Sequence, residues 1–403
     1  MCQSRINCFK IDSLAPLGGG GRKIYKMKKL NIISKIFIIL FFSLVLSASA
    51  QTNAIGDKGF TLDTTGLSSI NVCVSEWQKA GVEGGIPSIN AQTKIYKAKP
   101  GCNLQKLIDK AARTGGVILL SNGDYFVNES IYLKNGVVLR GESKNGVRLL
   151  VKLKGQFWQV KGSKRVGALL MHGVERAGIE NLTIKYDAVS FEPYNPDSFD
   201  APWKIDVFHK PELRDTCLFV EQVWIHQSRN CWVQDCRILW AGSDPIRITL
   251  SDHITCRRNY IDRCYNKNDG GMGYYNISNS RYVLVANDTV RRIRHFAIQN
   301  YSKFNVIINN YFEVDINFHD GDSGCNLIMG NTVRIPQWHS WNPIARGVPE
   351  QHLPPGKFNI LLNNEFQDKS NQKIYSQRDV IYEVGYSWDL PIVVVCGSLN
   401  LHK

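Results

Sequence analysis

The chain has 403 residues, of which 43% are hydrophobic and 21% are charged. This is ordinary globular composition, which excludes a disordered chain and allows a large core. The formal net charge is +14 at pH 7, but without residues 1–50 the chain keeps 41 Lys/Arg and 34 Asp/Glu, a net charge of +7. That moderate, scattered excess suits an acidic ligand and argues against a nucleic-acid-binding patch.

The first 50 residues contain the three parts of a secretory signal. Met27-Lys28-Lys29 is basic, Ile36 to Leu46 (IFIILFFSLVL) is apolar, and Ala48-Ser49-Ala50 offers a small-residue cleavage site. The apolar run is too short to favour a membrane span; an N-terminal anchor helix is the alternative. We therefore predict a leader and signal peptide within residues 1–50, the signal itself over about 27–50. The mature protein is then secreted or periplasmic, with no stable membrane insertion.

Nine of the eleven cysteines lie beyond residue 50. Export permits disulfides, and Cys73 and Cys102 flank the expected N-terminal cap, so we predict a Cys73–Cys102 disulfide. No C-x-x-C pair is present in the sequence, which argues against a zinc site made of thiolates. Most of the others are expected to be small core residues, and the odd total leaves at least one thiol unpaired.

A short helix follows the N-terminal segment, residues 51–99. In NLQKLIDKAARTGG, Asn103 to Gly116, apolar residues recur at helical spacing and the run ends at a Gly pair, which predicts one amphipathic helix. Beyond it, VILLSNGDYFV and SIYLKNGVVLRGES are short β-rich runs broken by Asn-Gly turns.

The strongest signal is a repeated β-strand unit. Each copy has an apolar strand, a polar turn residue and another apolar position: NCWVQDCRI, HITCRRNYI, YVLVANDTV, FNVIINNYF, CNLIMGNTV and FNILLNNEF. Its polar turn residues recur in steps of 23, 29, 22, 21 and 33, at Cys236, Asn259, Asp288, Asn310, Asn331 and Asn364. A period of about 22 without intervening helices predicts a solenoid, whose turns, or rungs, stack parallel strands. Asn suits the turn because it tolerates left-handed backbone and can hydrogen-bond its equivalent one rung away.

The helix, the following GGVILLSNGDYFVNESIYLKNGVVLRGES and the Asn-marked rungs resemble the pectate-lyase-like superfamily. The resemblance covers residues 100 to 395 and implies an all-β fold, a right-handed single-stranded parallel β-helix with an N-terminal capping helix. Ser121-Asn122-Gly123 departs from it, because many relatives have a Pro-containing turn there. The superfamily includes polysaccharide lyases, glycoside hydrolases, epimerases and phage depolymerases, so the resemblance narrows the substrate more than the reaction. We assign residues 100–403 to this domain.

The stretch DINFHDGD, Asp315 to Asp322, has an unusual polar face. In a β-strand, Asp315, Asn317 and His319 lie on one side and two apolar residues lie on the other. A rung step of 22 places Phe296 on Phe318, His295 beside Asn317 and Ala297 beside His319. One rung upstream it places Met272 under Phe296 and Gly273 under Ala297, and further upstream Arg247 in the same outward column.

Clusters of acids and histidines perturb each other's pKa and concentrate at functional sites. The candidate catalytic residues are His295, His319, Asp315, Asp320, Arg247 and Arg294. The candidate substrate-binding residues on the same face are Asp244, Asp269, Gln299 and Asn317. The alternative is a solvated outer face with Asp-Gly turns, which applies above all to Asp322.

Two long segments depart from the period, residues 186–216 and 336–356. Both are irregular, aromatic and charged, and such loops on a rigid scaffold often carry binding. Trp203, Trp338 and Trp341 could stack on sugar rings, while Lys204 and Arg346 could meet carboxylates or sulfates. Packing of these loops onto the coil is the alternative.

Two reactions compete. In β-elimination His295 or His319 is the base and Arg247 or Arg294 neutralises the developing charge. Hydrolysis instead needs two carboxyl groups, which Asp269, Asp315, Asp320 or Asp322 could provide. Positive charge and the Arg/His pairing fit an acidic glycan, and the resemblance implies a lyase. We therefore favour a secreted polysaccharide lyase acting on an acidic, uronate-containing or sulfated, polysaccharide; a glycoside hydrolase of the same fold is the alternative.

A non-catalytic glycan-binding β-helix is the third interpretation. The sequence requires no cofactor, although Asp315, Asp320 and Asp322 could hold Ca²⁺, as carboxylates do in some lyases of the superfamily; no EF-hand loop is present in the sequence. The expected partner is the polysaccharide, with no nucleic acid.

Overall fold

The computed structural model describes residues 52–54, 61–63, 73–158, 160–189, 217–266, 272–336, 339, 341–368, 373–375 and 392–395. The signal peptide predicted for residues 1–50 lies outside this part of the chain. Within it, no helix combines the length and the hydropathy needed to cross a membrane.

The described residues form two short helices and 31 strands. The helices are α1 (Val74–Trp77) and α2 (Leu104–Ala111). The strands are β1 (Thr52–Ala54), β2 (Thr61–Asp63), β3 (Ile95–Ala98), β4 (Gly116–Leu120), β5 (Gly123–Val127), β6 (Ile131–Tyr132), β7 (Val137–Gly141), β8 (Val147–Val151), β9 (Val166–His172), β10 (Gly178–Glu180), β11 (Thr183–Tyr186), β12 (Val220–His226), β13 (Trp232–Gln234), β14 (Arg237–Ala241), β15 (Ile246–Thr249), β16 (Thr255–Arg257), β17 (Tyr260–Cys264), β18 (Tyr274–Ser278), β19 (Leu284–Ala286), β20 (Thr289–Arg291), β21 (His295–Gln299), β22 (Val306–Ile308), β23 (Tyr311–Phe312), β24 (Ile316–Asp320), β25 (Leu327–Met329), β26 (Thr332–Ile335), β27 (Ile344–Arg346), β28 (Asn359–Leu362), β29 (Glu365–Asp368), β30 (Lys373–Tyr375) and β31 (Ile392–Val395).

Three long sheets run along the coil, and every third strand joins the same sheet over most of its length. Sheet I has the order β3-β4-β7-β10-β13-β16-β19-β22-β25-β28-β31, sheet II β5-β8-β11-β14-β17-β20-β23-β26-β29-β30, and sheet III β6-β9-β12-β15-β18-β21-β24-β27. Their pairs are parallel except β29 with β30. The predicted fold, a right-handed single-stranded parallel β-helix, is confirmed.

Helix α2 covers the N-terminal end of the core, as predicted for the capping helix. The Asn103 side chain accepts a hydrogen bond of 2.9 Å from the Lys106 backbone N–H and so caps the first turn. Leu104, Ile108 and Ala111 are buried in the main core. Strand β3, Ile95–Ala98, which lies in the N-terminal segment 51–99, pairs with β4 in sheet I.

A polar ladder fixes the rungs in register, as predicted from the spacing of the turn residues. The ladder begins at the backbone N–H of Cys236 and runs through Asn259, Asp288, Asn310 and Asn331 to Asn364. From Asn259 onward, each side-chain oxygen accepts from the backbone N–H of the member before it, at 2.7–3.0 Å. The left-handed backbone lies one residue earlier than expected, for instance at Asn287 and Asn309, with φ of 57° and 55°. The turn itself precedes the ladder residue, which leaves the ladder side chain free to point inward.

The predicted Cys73–Cys102 disulfide is wrong, because Cys73 pairs with Cys325 and Cys102 is free. Residues 73–85 form a strap across the outer face of sheet I. Trp77 is fully buried there and donates Nε1–H to the Cys325 carbonyl at 2.7 Å. The strap explains why several strands of sheet I, such as LVA and VII, are apolar on both faces.

The sequence suggested that residues 336–356 are irregular, but they contain the strand β27. This strand pairs with β24 and ends sheet III. Of the other predicted loop, 186–216, the structure describes residues 186–189.

Loss of the strap disulfide should destabilise the coil. Cys73→Ser opens a loop that spans 252 residues in sequence, and the lost constraint on the unfolded chain costs about 4 kcal/mol. Urea unfolding of the oxidised protein should show a lower midpoint for this variant. Cys102→Ser is the control and should leave the midpoint unchanged; an equal fall of the midpoint in both variants would indicate the Cys73–Cys102 pairing instead.

Asp288 should make stability depend on pH. Burial raises its pKa from 3.8 to about 7, since its ladder position is surrounded by protein. The folded pKa lies above the unfolded one, so the stability present below about pH 4 is lost as pH rises through 7. Asp288→Asn should therefore raise the unfolding midpoint more at pH 8 than at pH 5.

Asn310→Asp, the converse change at the next ladder position, should make stability fall more steeply with rising pH. Equal effects of Asp288→Asn at both pH values would show that Asp288 does not titrate in this range.

Candidate functional site

A cleft of about 950 Å³ lies on the outer face of sheet III, over β15, β18, β21, β24 and β27. Its described lining is rich in basic and imidazole groups: Arg165, Arg247, Arg294, Arg346, His295, His319 and His352. Among the described lining residues Asp320 is the one carboxylate.

Strand alternation delivers these side chains to the cleft. In β21 (HFAIQ), Phe296 and Ile298 are in the core while His295 and Gln299 line the cleft. In β18 (YYNIS), Tyr275 and Ile277 are inside while Tyr274 and Asn276 line the cleft.

The predicted register is wrong by two residues at β24. Phe296 pairs with Ile316 rather than Phe318, and Ala297 pairs with Asn317. An even shift keeps every side chain on its predicted face, so the polar residues of DINFHDGD still lie outside the core. The shift places Asp315, rather than Asn317, beside His295.

The register predicted upstream is wrong by three residues. Phe296 pairs with Tyr275, not Met272, and Ala297 with Asn276, not Gly273. An odd shift exchanges the two faces of a strand, which is why Tyr274 and Asn276 were missed although alternation in YYNIS could have shown them. Arg247 pairs with Asn276 and thus stands in the column of Ala297, as predicted.

A β-bulge repositions His319. The pairing runs from Ile298 with Phe318 directly to Gln299 with Asp320, so His319 is the extra residue. Bulges turn a side chain away from the regular direction and are common beside active sites. Here the His319 ring lies 5.8 Å from the His295 ring and 4.4 Å from the His352 ring, measured between centroids.

His295 and Asp315 form a buried pair at the base of the cleft. His295 Nδ1 lies 2.8 and 2.9 Å from the two carboxylate oxygens of Asp315. Asn317 Nδ2 donates to the same carboxylate at 2.9 Å, and His339 Nε2 lies 3.5 Å from it. Asp315 is fully buried, so it acts on His295 rather than on a ligand, and Nε2 is left as the ring nitrogen available on the cleft side.

Tyr274 links two of the three imidazoles described in the cleft, those of His295 and His319. Its hydroxyl lies 3.0 Å from His319 Nε2, and its ring lies 5.0 Å from the His295 ring. The guanidinium of Arg294 lies 5.6 Å from the centre of the Tyr274 ring. A phenol and two imidazoles therefore meet within one small volume of the cleft.

Buried carboxylates also support the arginines. Asp244 Oδ2 accepts from Arg247 Nη1 at 2.9 Å, while Asp244 Oδ1 accepts from the Tyr274 backbone N–H at 2.8 Å. Glu221 is paired with Arg165 and accepts from the Asp244 backbone N–H at 2.9 Å. Asp244 is thus a support for Arg247 and not a lining residue of the cleft.

Burial shifts the protonation of these groups. It raises the pKa of Asp315 from 3.8 to about 7 and lowers that of His295 well below 6.5, because both charged forms lose hydration. Burial, followed by the neighbouring His295, lowers the pKa of His319 to about 3. Burial and the Glu221 charge raise the pKa of Asp244 to about 7, although the Arg247 guanidinium acts to lower it. The imidazoles of His295 and His319 are therefore neutral at pH 7.

The other candidate residues separate into three groups. Gln299, Asn317, Asp320, Trp341, Arg294 and Arg346 line the cleft, and Gln299 donates to Asn276 at 2.9 Å. Asp322 instead accepts hydrogen bonds from Asn326, Asn359 and backbone N–H groups in a second asparagine ladder. These bonds hold the backbone of the coil, so the role of Asp322 there is structural. Those that lie outside the described residues are Asp269, Trp203, Lys204 and Trp338.

The three candidate calcium ligands do not converge. Asp315 faces His295, Asp322 faces the asparagine ladder, and Asp320 accepts from the Leu353 backbone N–H at 2.8 Å. The described residues contain no group of three or more His, Cys, Asp or Glu that could hold a metal ion. The arrangement offers acid–base and cationic groups instead.

Several cleft residues were absent from the sequence-based set. Tyr274 and Asn276 were lost through the register error, while Arg165 and Trp158 precede β9 without any motif. His352 of the cleft and His339, which lies beside Asp315, are within the segment 336–356 that the sequence marked as a binding loop, so a signal for them existed.

No protein-family model matches the sequence, and no curated protein matches it. Solved structures similar to this chain include pectin methylesterase PemA from Erwinia chrysanthemi, at 12% identity and a TM-score of 0.43 over 76% of this chain and 94% of that one. Polygalacturonase from Erwinia carotovora ssp. carotovora is 15% identical, with a TM-score of 0.42 over 71% of this chain and 95% of that one. The resemblance to the pectate-lyase-like superfamily is confirmed as one of fold, which rests on the three parallel sheets.

The imidazoles of His295 and His319 should stay neutral well below pH 6.5. In a histidine-labelled sample, the ring resonances of His295 and His319 should not titrate between pH 8 and 5, because burial lowers both pKa values. His319→Gln assigns one of the two signals. A midpoint near 6.5 for either ring would contradict the buried, neutral state. The expected titration occurs only in acid, and the folding stability that is present above pH 6.5 is lost as the pH falls below that value toward the lowered pKa.

Proposed function

We propose that the protein is an exported polysaccharide lyase that cleaves an acidic polysaccharide by β-elimination. The substrate class is a glycan with uronate units. The sequence supports export through the predicted signal, and the Cys73–Cys325 disulfide fits an oxidising compartment.

The observation that carries the proposal is the charge of the cleft. Four arginines line it against one described carboxylate. Arginine binds carboxylates through directed N–H donors, and Arg247 still has a buried Nε–H without a hydrogen-bond partner among the described residues. Such a lining favours an anionic substrate and disfavours a neutral glycan.

The reaction removes a proton and a leaving group from adjacent carbons. His295 Nε2 takes the proton from the carbon next to the uronate carboxylate, and the electron pair forms a carbon–carbon double bond as the bond to the glycosidic oxygen breaks. Asp315, on Nδ1, stabilises the imidazolium that results. Arg247 and Arg294 neutralise the charge that develops on the uronate carboxylate.

The leaving oxygen needs a proton, which Tyr274 supplies. With the His319 proton on Nε2, the Tyr274 hydroxyl accepts from it at 3.0 Å and directs its own hydrogen toward the substrate. Because the pKa of His319 is lowered, the ring is neutral and adds no charge beside this hydroxyl.

Hydrolysis by two carboxyl groups has less support. That mechanism needs a carboxylic acid and a carboxylate facing the scissile bond. Asp315 and Asp244 are fully buried beneath His295 and Arg247, so Asp320 alone faces the cleft within the described residues.

The test is the product formed from a panel of polygalacturonate, alginate, hyaluronan and chondroitin sulfate. Elimination creates an unsaturated end that absorbs ultraviolet light, and we expect this absorbance to rise with at least one polymer. New reducing ends without absorbance would establish a hydrolase, and binding without either product would establish a glycan-binding coil.

His295→Ala should lower the rate of elimination at least about 100-fold, as expected for loss of a general base. His253→Gln is the matched control, since His253 is also buried but lies against the strap, with Nδ1 3.2 Å from the Gly81 carbonyl oxygen. His295→Ala leaves the buried Asp315 carboxyl without its imidazole partner and should lower the unfolding midpoint, so the rates are compared at a temperature at which both variants are folded. Unchanged turnover in His295→Ala would remove His295 from the reaction.

A further inference from the structure

An aromatic and imidazole cluster lies on the first strands of sheet III, upstream of the cleft. The His172 ring in β9 stands edge-on to the Trp224 indole in β12, with centroids 4.6 Å apart and planes at 81°. The His226 ring lies 5.4 Å from His172, and Tyr132 in β6 lies 6.5 Å from it. Tyr132 is 46% exposed and Trp224 is half-buried, so the cluster borders solvent.

The cluster does not belong to the hydrophobic core. Trp224 alternates with Val223 and Ile225, which are both fully buried in the core, so its side chain stands on the outer face of sheet III. Its Nε1–H donates to Thr249 Oγ1 at 3.0 Å, and His226 Nδ1 lies 2.8 Å from the same hydroxyl oxygen. These contacts fix the indole without covering it with other apolar residues of the core.

The cluster is uncharged at neutral pH, unlike the cleft. Burial lowers the pKa of His172 from 6.5 to about 4. Burial and the charge of Arg247 also lower the pKa of His226. A neutral surface of fixed rings suits the C–H face of a pyranose better than a carboxylate.

The cluster is in line with the cleft. Trp224 pairs with Arg247 on the next strand, and the same column continues through Asn276 to Ala297. Three strand spacings separate Trp224 from Ala297, about 14 Å along the wall. An extended oligosaccharide that has one unit at His295 can therefore reach Trp224 without leaving this face.

We propose that Trp224, supported by His172 and His226 and flanked by Tyr132, is a second sugar-binding subsite that stacks on a distal pyranose ring of the same acidic polysaccharide. The identity of the polysaccharide rests on the proposed function, whereas the stacking itself rests on the cluster. The subsite selects long chains over short ones, because a short product bound at His295 does not extend to it.

Binding in the inactive His295→Ala background tests the subsite. The protein is run through native gels that contain polygalacturonate, alginate, hyaluronan or chondroitin sulfate, so that retardation measures polymer affinity. We expect retardation in at least one gel and an apparent Kd that is roughly 3- to 10-fold higher when Trp224→Ala is added, since an aromatic stacking contact is worth about 0.5–1.5 kcal/mol.

Phe126→Ala is the control, because Phe126 is a 61% exposed aromatic residue on sheet II. It should leave retardation unchanged, and all variants should be folded at the temperature of the gel. Calorimetry with the disaccharide from exhaustive digestion of the retarding polymer should give equal affinity with and without Trp224→Ala.

Three results would overturn the subsite: no retardation in any gel, equal retardation of the Trp224 and control variants, or an equal loss of polymer and disaccharide binding. Failure of the proposed reaction is a separate result. It would appear as no rise in ultraviolet absorbance when the wild-type protein is incubated with the polymers, and the gel measurement of binding does not depend on it.

Discussion

Vertical register between rungs is the constraint on which both fold and site depend. Each ladder side chain, such as Asn310, accepts from the backbone of the rung before it and so fixes where the next strand begins. A slip of one residue would exchange the faces of a strand and move His295 into the core. The hydrogen bonds from Cys236 to Asn364 thus indirectly hold the imidazoles, phenol and guanidinium groups in one cleft.

Sequence periodicity was sufficient for the fold and for the ladder, because both follow from short-range rules. The spacing of Asn259, Asn310 and Asn331 predicted which residues bond between rungs. It was insufficient for register within sheet III, because the connections between strands vary in length and nothing in a single strand reports its partner. The predicted disulfide was wrong for a similar reason. The strap brings Cys73 to Cys325, and these two residues are 252 positions apart in sequence.

The candidate site shows which errors matter. At β24 the two-residue error preserved the outward face, and the observed register places Asp315 rather than Asn317 beside His295, which gives the imidazole a carboxylate partner. At β18 the three-residue error assigned Tyr274 to the inward face, so it was not among the predicted site residues. The bulge at His319 has no signature in the sequence, because it exists only relative to the partner strand.

The carboxylates of this site serve the groups that face the cleft. Asp315 holds His295, Asp244 holds Arg247, and both are fully buried. Pairing lowers the net charge that a substrate meets, which would be a disadvantage if the cleft worked by bulk attraction alone. It also fixes the direction of N–H donors and of a basic nitrogen. Charge that develops during a reaction is stabilised chiefly by donors already oriented toward it, so a cleft built this way gives up some affinity for the bound substrate in exchange for complementarity to the transition state.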